Sequence, residues 1–437
     1  MARQLFGTDG VRGVAGELLT AELALALGRA ATLQSEADAP RVLVIRDTRE
    51  SGEMLEAALA AGISGAGGDV LLGGVLPTPG APLLLHRYGF DLAAVISASH
   101  NPYRDNGIKF FAADGFKLSD EIEAKIEARL EEPVAPSTSI GRIRALHGTQ
   151  EDYLRALHER FADLDLTGLD VALDCAHGAT YRVAPEIFRR LGAEVTAIAV
   201  DPDGRNINEG CGSTHVAALA QAVVDGGHAV GFALDGDGDR VLAVDRTGTV
   251  VDGDELIALA ALHLRGAGKL PGDGVAVTVM TNFGFHVAMR DAGVEVTTTQ
   301  VGDRYVLEAL RERGWTLGGE QSGHIIDMGF NATGDGIAAA LLTLEALQGS
   351  DLADRHAMQK LPQRLVNVRV DDRDAAMASD ELAQASEREA RALEGRGRVL
   401  VRPSGTEQLV RVMVEAPSHD EAQAACDRLV AVVSGSS

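Results

Sequence analysis

Short runs that are apolar at almost every position, each closing at a polar or Gly-rich turn, recur along the first part of the chain: Arg41-Val42-Leu43-Val44-Ile45, Asp69-Val70-Leu71-Leu72 and Ala93-Ala94-Val95-Ile96. Such runs predict parallel strands covered on both faces, since a strand with one wet side alternates. A helix is predicted where Ile122, Ile126 and Leu130 recur every fourth residue. Asp120 and Glu123 are spaced as a capping box, and Glu121 is placed to pair with Lys125. The stretch 131–139, with two prolines and three hydroxyl residues, breaks this pattern and reads as part of a connection between domains. The alternation then resumes, with strands expected at 171–173, 195–200 and 229–234. A third unit, from about Asp252 to Ser350, has strands expected at 275–279 and 296–299. The last part differs: strands at 365–370, 399–401 and 409–414, one long helix between the first two and a C-terminal helix from Glu421 predict a small α+β domain with an antiparallel sheet.

Length agrees with several domains, because 437 residues exceed what one core supports. The expected division is 1–150, 151–250, 251–360 and 361–437. No run approaches the ~18 apolar residues of a membrane span, and Met-Ala-Arg-Gln-Leu-Phe-Gly-Thr at the N-terminus has no apolar signal region. A soluble, cytoplasmic protein is expected. Net charge is −24, from 40 basic and 64 acidic residues, so nucleic acid and anionic membranes are excluded as expected partners. Any phosphate must be bound in a local basic or Gly-rich pocket. Cys175, Cys211 and Cys426 show neither disulfide nor metal-ligand spacing and are expected to be inert.

The chemistry begins at Asp235-Gly236-Asp237-Gly238-Asp239-Arg240, directly after an apolar run. Three carboxylates at alternate positions with glycines between them offer hard oxygen ligands on a backbone able to bend round a small ion, which suits Mg²⁺. An EF-hand loop would need Gly at its sixth and Glu at its twelfth position, where this chain has Arg240 and Arg246. Ile96-Ser97-Ala98-Ser99-His100-Asn101-Pro102 ends another predicted strand, where open α/β sheets place ligands, and Asn101-Pro102 forces a turn able to present Ser99. A free serine is a poor nucleophile. A phosphoserine needs only a cation and an acid or base nearby, and Lys109 and the aspartate loop could supply them. Gly319-Glu320-Gln321-Ser322-Gly323-His324 places a carboxylate, a hydroxyl and an imidazole at alternate positions, a set able to hold sugar hydroxyls. Arg402-Pro403-Ser404-Gly405-Thr406-Glu407 joins a guanidinium to hydroxyls and a flexible backbone able to converge on an anion. Arg411 either helps there or is a strand-surface charge.

In this order, with Gly7-Thr8-Asp9-Gly10-Val11-Arg12-Gly13 at the start, the motifs resemble the α-D-phosphohexomutase family over nearly the whole chain. Within it, Gly7 to Gly13, Ser97-Ala98-Ser99, Val301-Gly302-Asp303-Arg304-Tyr305 and Gln321 are similar to the branch that acts on glucosamine phosphates. The resemblance implies three related α/β mixed-sheet domains plus a smaller C-terminal α+β domain around a central cleft. It implies that Ser99 carries and recovers a phosphoryl group, and that Asp235, Asp237 and Asp239 with a phosphoserine oxygen hold one Mg²⁺ per subunit. Arg12, Lys109 and Arg240 would surround that phosphate, with Lys109 in proton transfer and His100 buttressing the loop. Glu320, Ser322 and His324 would face the sugar, and Arg402, Ser404, Gly405 and Thr406 its distal phosphate. A hexosamine or hexose 1,6-bisphosphate would be the activator, sugar phosphates the ligands, and a homodimer is possible.

Two positions depart from the family pattern. Gln408 stands where proline is common, which alters loop stiffness rather than anion binding. Gly302-Asp303 replaces a Gly-His pair, so that Asp303 or Arg304 would meet a substrate amine or phosphate. Related mutases of glucose or mannose phosphates, a Mg-dependent sugar phosphatase and a non-catalytic sugar-phosphate binder remain as alternative functions.

Overall fold

The computed structural model describes residues 5–7, 9–133, 139–404 and 408–435. The chain divides into two compact units, Met1–Val279 with Thr297–Arg355, and Met280–Val296 with His356–Ser437. The first carries three α/β sheets and the second a small α+β fold, so the expected fold class holds.

The first sheet contains β1 (Val11–Val14), β2 (Arg41–Arg46), β3 (Asp69–Val75), β4 (Leu92–Ile96), β5 (Asp105–Ala112) and β6 (Ile143–Ala145), in the order β1-β5-β4-β2-β3-β6. Strands β2, β3 and β4 are parallel, as their apolar runs predict. Strand β5 runs antiparallel between β4 and β1, which the sequence reading passed over because Lys109 interrupts its apolar run. Residues 134–138 of the expected connection lie outside the described residues. The chain beyond them returns to pair β6 with β3, so the first sheet continues past that stretch. Helix Asp120–Leu130 forms as expected and Lys125 pairs with Glu121 at 2.6 Å. Its cap, however, is Ser119, whose hydroxyl accepts from Ile122 N–H. The Glu123 side chain reaches Arg304.

The second sheet orders β7 (Asp170–Asp174), β8 (Glu194–Ile198), β9 (Val230–Leu234), β10 (Val241–Asp245) and β11 (Val250–Val251) as β11-β10-β9-β7-β8. Every residue of β9 is buried. Leu234 pairs with Val241, so residues 235–240 are a hairpin turn and not simply the end of a strand. The third sheet, β12 (Gly274–Thr278), β13 (Glu295–Thr299), β14 (Leu317–Gly319) and β15 (Ile325–Asp327), is ordered β13-β12-β14-β15, and the antiparallel β14–β15 pair presents loop 320–324.

In the second unit, β16 (Gln363–Arg369), β17 (Arg398–Pro403) and β18 (Leu409–Glu415) form the expected antiparallel sheet with β18 central. One long helix was expected between β16 and β17. Two form, Arg373–Met377 and Asp380–Ala392, because Ser379 caps a new start. Helix His419–Gly435 packs its Cys426 and Leu429 face with Val410, Val412 and Val414.

Candidate active site

Strands β4 and β9 end at the same place, so the serine loop and the aspartate turn meet. Asp235, Asp237 and Asp239 are all buried, with one oxygen of each within 4.8 Å of the others. Ser99 Oγ donates to Asp235 Oδ2 at 2.5 Å. Lys109, inward on β5, donates to Asp237 Oδ2 at 2.9 Å, and the Thr78 hydroxyl reaches the same oxygen at 2.6 Å. Asp237 Oδ1 and Asp239 Oδ1 are buried with no hydrogen-bond donor. Three buried carboxylates with two acceptor oxygens that have no donor in the fold are consistent with a divalent cation. Gly236 allows the close approach: a Cβ there would lie 2.6 Å from Ser99 O.

The charges are sharply sorted. Burial raises Asp235, and its neighbours Asp239 and Asp237 push it further up. Burial acts the same way on Asp239, but His324, Lys109 and Arg240 outweigh it and hold the carboxyl below its usual range. Lys109 is the mirror case: burial would lower it, while Asp237, Asp9 and Asp239 raise it and keep the ammonium charged. His100 is lowered by burial and by Arg240 and Arg12, which favours a neutral ring whose Nδ1 lies 3.3 Å from Ser99 Oγ.

A cavity of about 420 Å³ opens over this cluster, lined among others by Asp9, Arg12, His100, Arg240, Glu320 and His324. Arg12 lies opposite Gly107 in the β1–β5 register, beside Lys109. The Nε atoms of Arg12 and Arg240 are buried without an acceptor, the complement of the two unsatisfied carboxylate oxygens, and suit an anion. Glu320 Oε1 accepts from Gly302 N–H at 2.8 Å, and Ser322 Oγ lies 3.3 Å from Glu320 Oε2. Gly302 has φ of 135°, which side-chain-bearing residues rarely adopt. Gly334 N–H donates to His324 Nε2 at 3.2 Å, leaving Nδ1 directed towards Asp239 at 3.6 Å.

Asp303 and Arg304 separate. Asp303 lines the cavity and binds Lys117 at 2.5 Å, and Lys117 also pairs with Asp9. Arg304 does not line it: its guanidinium pairs with Asp120 and with Glu123, the latter at 3.2 Å. In the second unit, Arg402 stands directly opposite Arg411 across the β17–β18 pair. Burial and Arg411 together lower its pKa. Facing like charges destabilise a sheet unless an anion lies between them, and Arg411 Nε is buried without an acceptor. Ser404 O accepts from Arg373 at 2.5 Å. Gly405, Thr406 and Glu407 lie outside the described residues.

Sequence reasoning missed Asp9, Lys117 and Thr78 as parts of the cluster. Asp9 sat inside a quoted motif without a role. Lys117 and Thr78 carry no local pattern and are joined to the site only by the fold.

Four models of the phosphoglucomutase/phosphomannomutase family match in succession: alpha/beta/alpha domain I at residues 3–135, domain II at 151–248, domain III at 252–365 and the C-terminal domain at 365–432. The chain belongs to this phosphohexomutase family. It is 52% identical over 444 aligned residues to the phosphoglucosamine mutase of Moorella thermoacetica, covering 99% of each chain, and 50% identical to that of Rhodococcus jostii, covering 98% of this chain and 99% of the relative. Full-length identity near 50% to several such enzymes places it among the phosphoglucosamine mutases, which are isomerases. A phosphoglucomutase/phosphomannomutase family protein of Burkholderia thailandensis superposes with a TM-score of 0.85 at 25% identity, covering 99% of this chain and 97% of the other. The N-acetylphosphoglucosamine mutase of Aspergillus fumigatus, solved with GlcNAc-6P and magnesium, shares the fold with a TM-score of 0.71 at 19% identity, covering 99% of this chain and 96% of the other. Among the described residues no helix is long and apolar enough to cross a membrane.

Proposed function

We propose that this chain interconverts glucosamine 6-phosphate and glucosamine 1-phosphate through a phosphoserine at Ser99 and a bisphosphate intermediate. The observation that carries the reading is Ser99 Oγ at 2.5 Å from Asp235, beside two unsatisfied carboxylate oxygens and the Lys109 ammonium, at the edge of a cavity rimmed by guanidinium groups. In the first half-reaction phosphorus moves from Ser99 Oγ to the free sugar oxygen, and the proton of that hydroxyl ends on Ser99. The bisphosphate turns over and its other phosphate returns to Ser99, so one charged site serves both directions. Asp235, Asp237 and Asp239, with an oxygen of the phosphoserine, would hold one Mg²⁺, which when bound neutralises charge on the transferring group. The hard oxygen set supports magnesium, as does its presence in the Aspergillus enzyme of the same fold.

Arg12, Arg240 and Lys109 surround the transferring phosphate. Lys109 acts there as a fixed cation in the state its carboxylate neighbours impose, and a role in proton transfer would require those neighbours to be drawn off. His100 packs beside Ser99. Glu320 and Ser322 take sugar hydroxyls, His324 and Asp303 line the same wall, and Arg304 acts behind it. Arg402, Ser404, Gly405 and Thr406 are the grip for the distal phosphate, and the Arg402–Arg411 pair supports a strong anion preference there. The reading keeps a functional division at 1–150, 151–250, 251–360 and 361–437, each part supplying one loop. It includes a cytoplasmic location, activation by a hexose or hexosamine 1,6-bisphosphate, and a homodimer as the assembly. The test is to incubate the protein with Mg²⁺, a trace of bisphosphate and glucosamine 6-phosphate, with glucose 1-phosphate in parallel, following phosphorus species by NMR. Faster conversion of the amino sugar is expected. Release of inorganic phosphate without isomerised sugar would overturn the reading.

A further inference from the structure

Ser99 has φ of 50°, a left-handed backbone that a serine adopts only when its surroundings over-determine it. A closed ring of hydrogen bonds supplies that constraint. Ser99 N–H donates to Ser97 Oγ at 3.0 Å, and Ser97 Oγ donates to Asp47 Oδ2 at 2.6 Å. The same Asp47 oxygen accepts from Arg49 Nε at 2.8 Å, and Arg49 Nη2 returns to Ser99 O at 2.9 Å. The remaining guanidinium hydrogens go to the carbonyls of Asn101 at 2.9 Å, Asp105 at 3.0 Å and Pro102 at 2.5 Å. Both side chains of the Asp47–Arg49 pair are wholly buried, and neither lines the cavity. From the second α/β domain, Asn208 Nδ2 adds a second donor to Ser99 O at 2.9 Å. Only a planar fork of five donors spans so many carbonyls; a lysine ammonium keeps the charge and its carboxylate but reaches fewer.

We propose that Arg49 and Asp47 are positioning residues, fixing the Ser99 peptide from both sides so that Oγ stays aligned with the aspartate turn while the phosphoryl group leaves and returns. This rests on the assignment of Ser99 as the phosphoryl carrier. A serine freed from the ring still binds sugar phosphate, because the cavity wall is untouched, but transfers to and from it poorly. The bisphosphate then escapes before its second phosphate is recovered.

The test compares Arg49→Lys, Ser97→Ala and Ser99→Ala with the unaltered protein, measuring kcat and KM for glucosamine 6-phosphate, bisphosphate released per turnover and thermal melting. Arg49→Lys is expected to lower kcat by about 10²-fold, the scale of an ångström-sized misplacement. KM should stay within about threefold, the pattern of an interaction made only in the transition state. Bisphosphate release should rise. Ser97→Ala, which opens the ring while leaving both residues of the buried ion pair in place, should lower kcat about tenfold in the same pattern. Folded Arg49→Lys protein with unaltered kcat overturns the proposal. If Arg49→Lys does not fold, Ser97→Ala decides, and unaltered kcat or a loss confined to KM overturns it. Activity retained by Ser99→Ala would instead sink the carrier assignment. An inactive Ser99→Ala beside normal Arg49→Lys and Ser97→Ala would sink the positioning role alone.

Discussion

Replacing Asp235 by asparagine should raise the stability of the protein when it is free of metal and of phosphate on Ser99, and abolish the stabilisation that Mg²⁺ brings. One oxygen of each aspartate lies within 4.8 Å of the others. Two unit charges at that distance repel by about 3.5 kcal/mol at an effective dielectric constant near 20. Asp237 has Lys109 at 2.9 Å, and Asp239 has Lys109 at 4.0 Å and Arg240 at 3.8 Å. Asp235 has only the Ser99 hydroxyl and the Arg240 N–H at 3.2 Å, and no cation within 4.0 Å among the described residues. It therefore contributes two repulsions with no paired cation of its own, about 7 kcal/mol at that separation with every carboxylate charged. Its raised pKa lets a bound proton relieve part of this, and the expected gain for Asp235→Asn is about 1–3 kcal/mol. For a chain of this size that is a rise of about 1–3 °C in melting temperature, about 1 °C per kcal/mol. Magnesium at a hundred times its dissociation constant should stabilise the unaltered protein by about 2.7 kcal/mol. Differential scanning calorimetry in chelator and in excess Mg²⁺ should thus show the order of melting reverse between the two proteins. An Asp235→Asn protein that melts below the unaltered one in chelator would refute the electrostatic account of the cluster.

Three further outcomes follow from other parts of the molecule. Gly302→Ala should raise KM for the sugar phosphate about tenfold or more, because its φ of 135° and the Tyr305 ring at 3.3 Å from the added Cβ force the loop to shift, drawing Gly302 N–H off Glu320; steady-state kinetics read this out. Tyr153→Phe should cost about 1–3 kcal/mol in urea unfolding, since it removes the hydroxyl that donates to buried Asp335 at 2.9 Å. Burial, with Arg398 nearby, lowers His286 to about 4 from its usual 6.5. The folded state therefore resists protonation, and stability present above about pH 6.5 is lost as pH falls towards 4; His286→Gln should flatten that limb of the melting-temperature profile.

Much of the site was legible because its chemistry is written in local spacing. Three aspartates separated by single residues announce an oxygen-ligand cluster wherever the chain folds, and the buried run before them fixes them at a sheet edge. The hairpin nature of the turn was missed although Val241-Leu242-Ala243-Val244, the apolar run that forms β10, stands directly after it. Strand β5 was missed because its inward Lys109 looks like a surface residue until Asp237 and Asp9 are brought to it. Helix Asp120–Leu130 was read correctly over its length and one residue off at its cap, since Ser119 and Asp120 are both good capping residues and Glu123 is claimed by Arg304. Asp9, Lys117 and Asp303 are isolated charges in sequence, and only tertiary structure makes them neighbours.

Whether Ser99 carries the phosphoryl group is decided by following that residue through one turnover. The protein is phosphorylated with a hexose 1,6-bisphosphate, freed of excess ligand, mixed with Mg²⁺ and substoichiometric glucosamine 6-phosphate, quenched and mapped by peptide mass spectrometry. Phosphate should be lost from the peptide containing Ser99 as glucosamine 1,6-bisphosphate appears, and regained as glucosamine 1-phosphate forms. Phosphate that stays on Ser99 while glucosamine 1-phosphate accumulates, or that appears on another residue, would contradict Ser99 as the carrier.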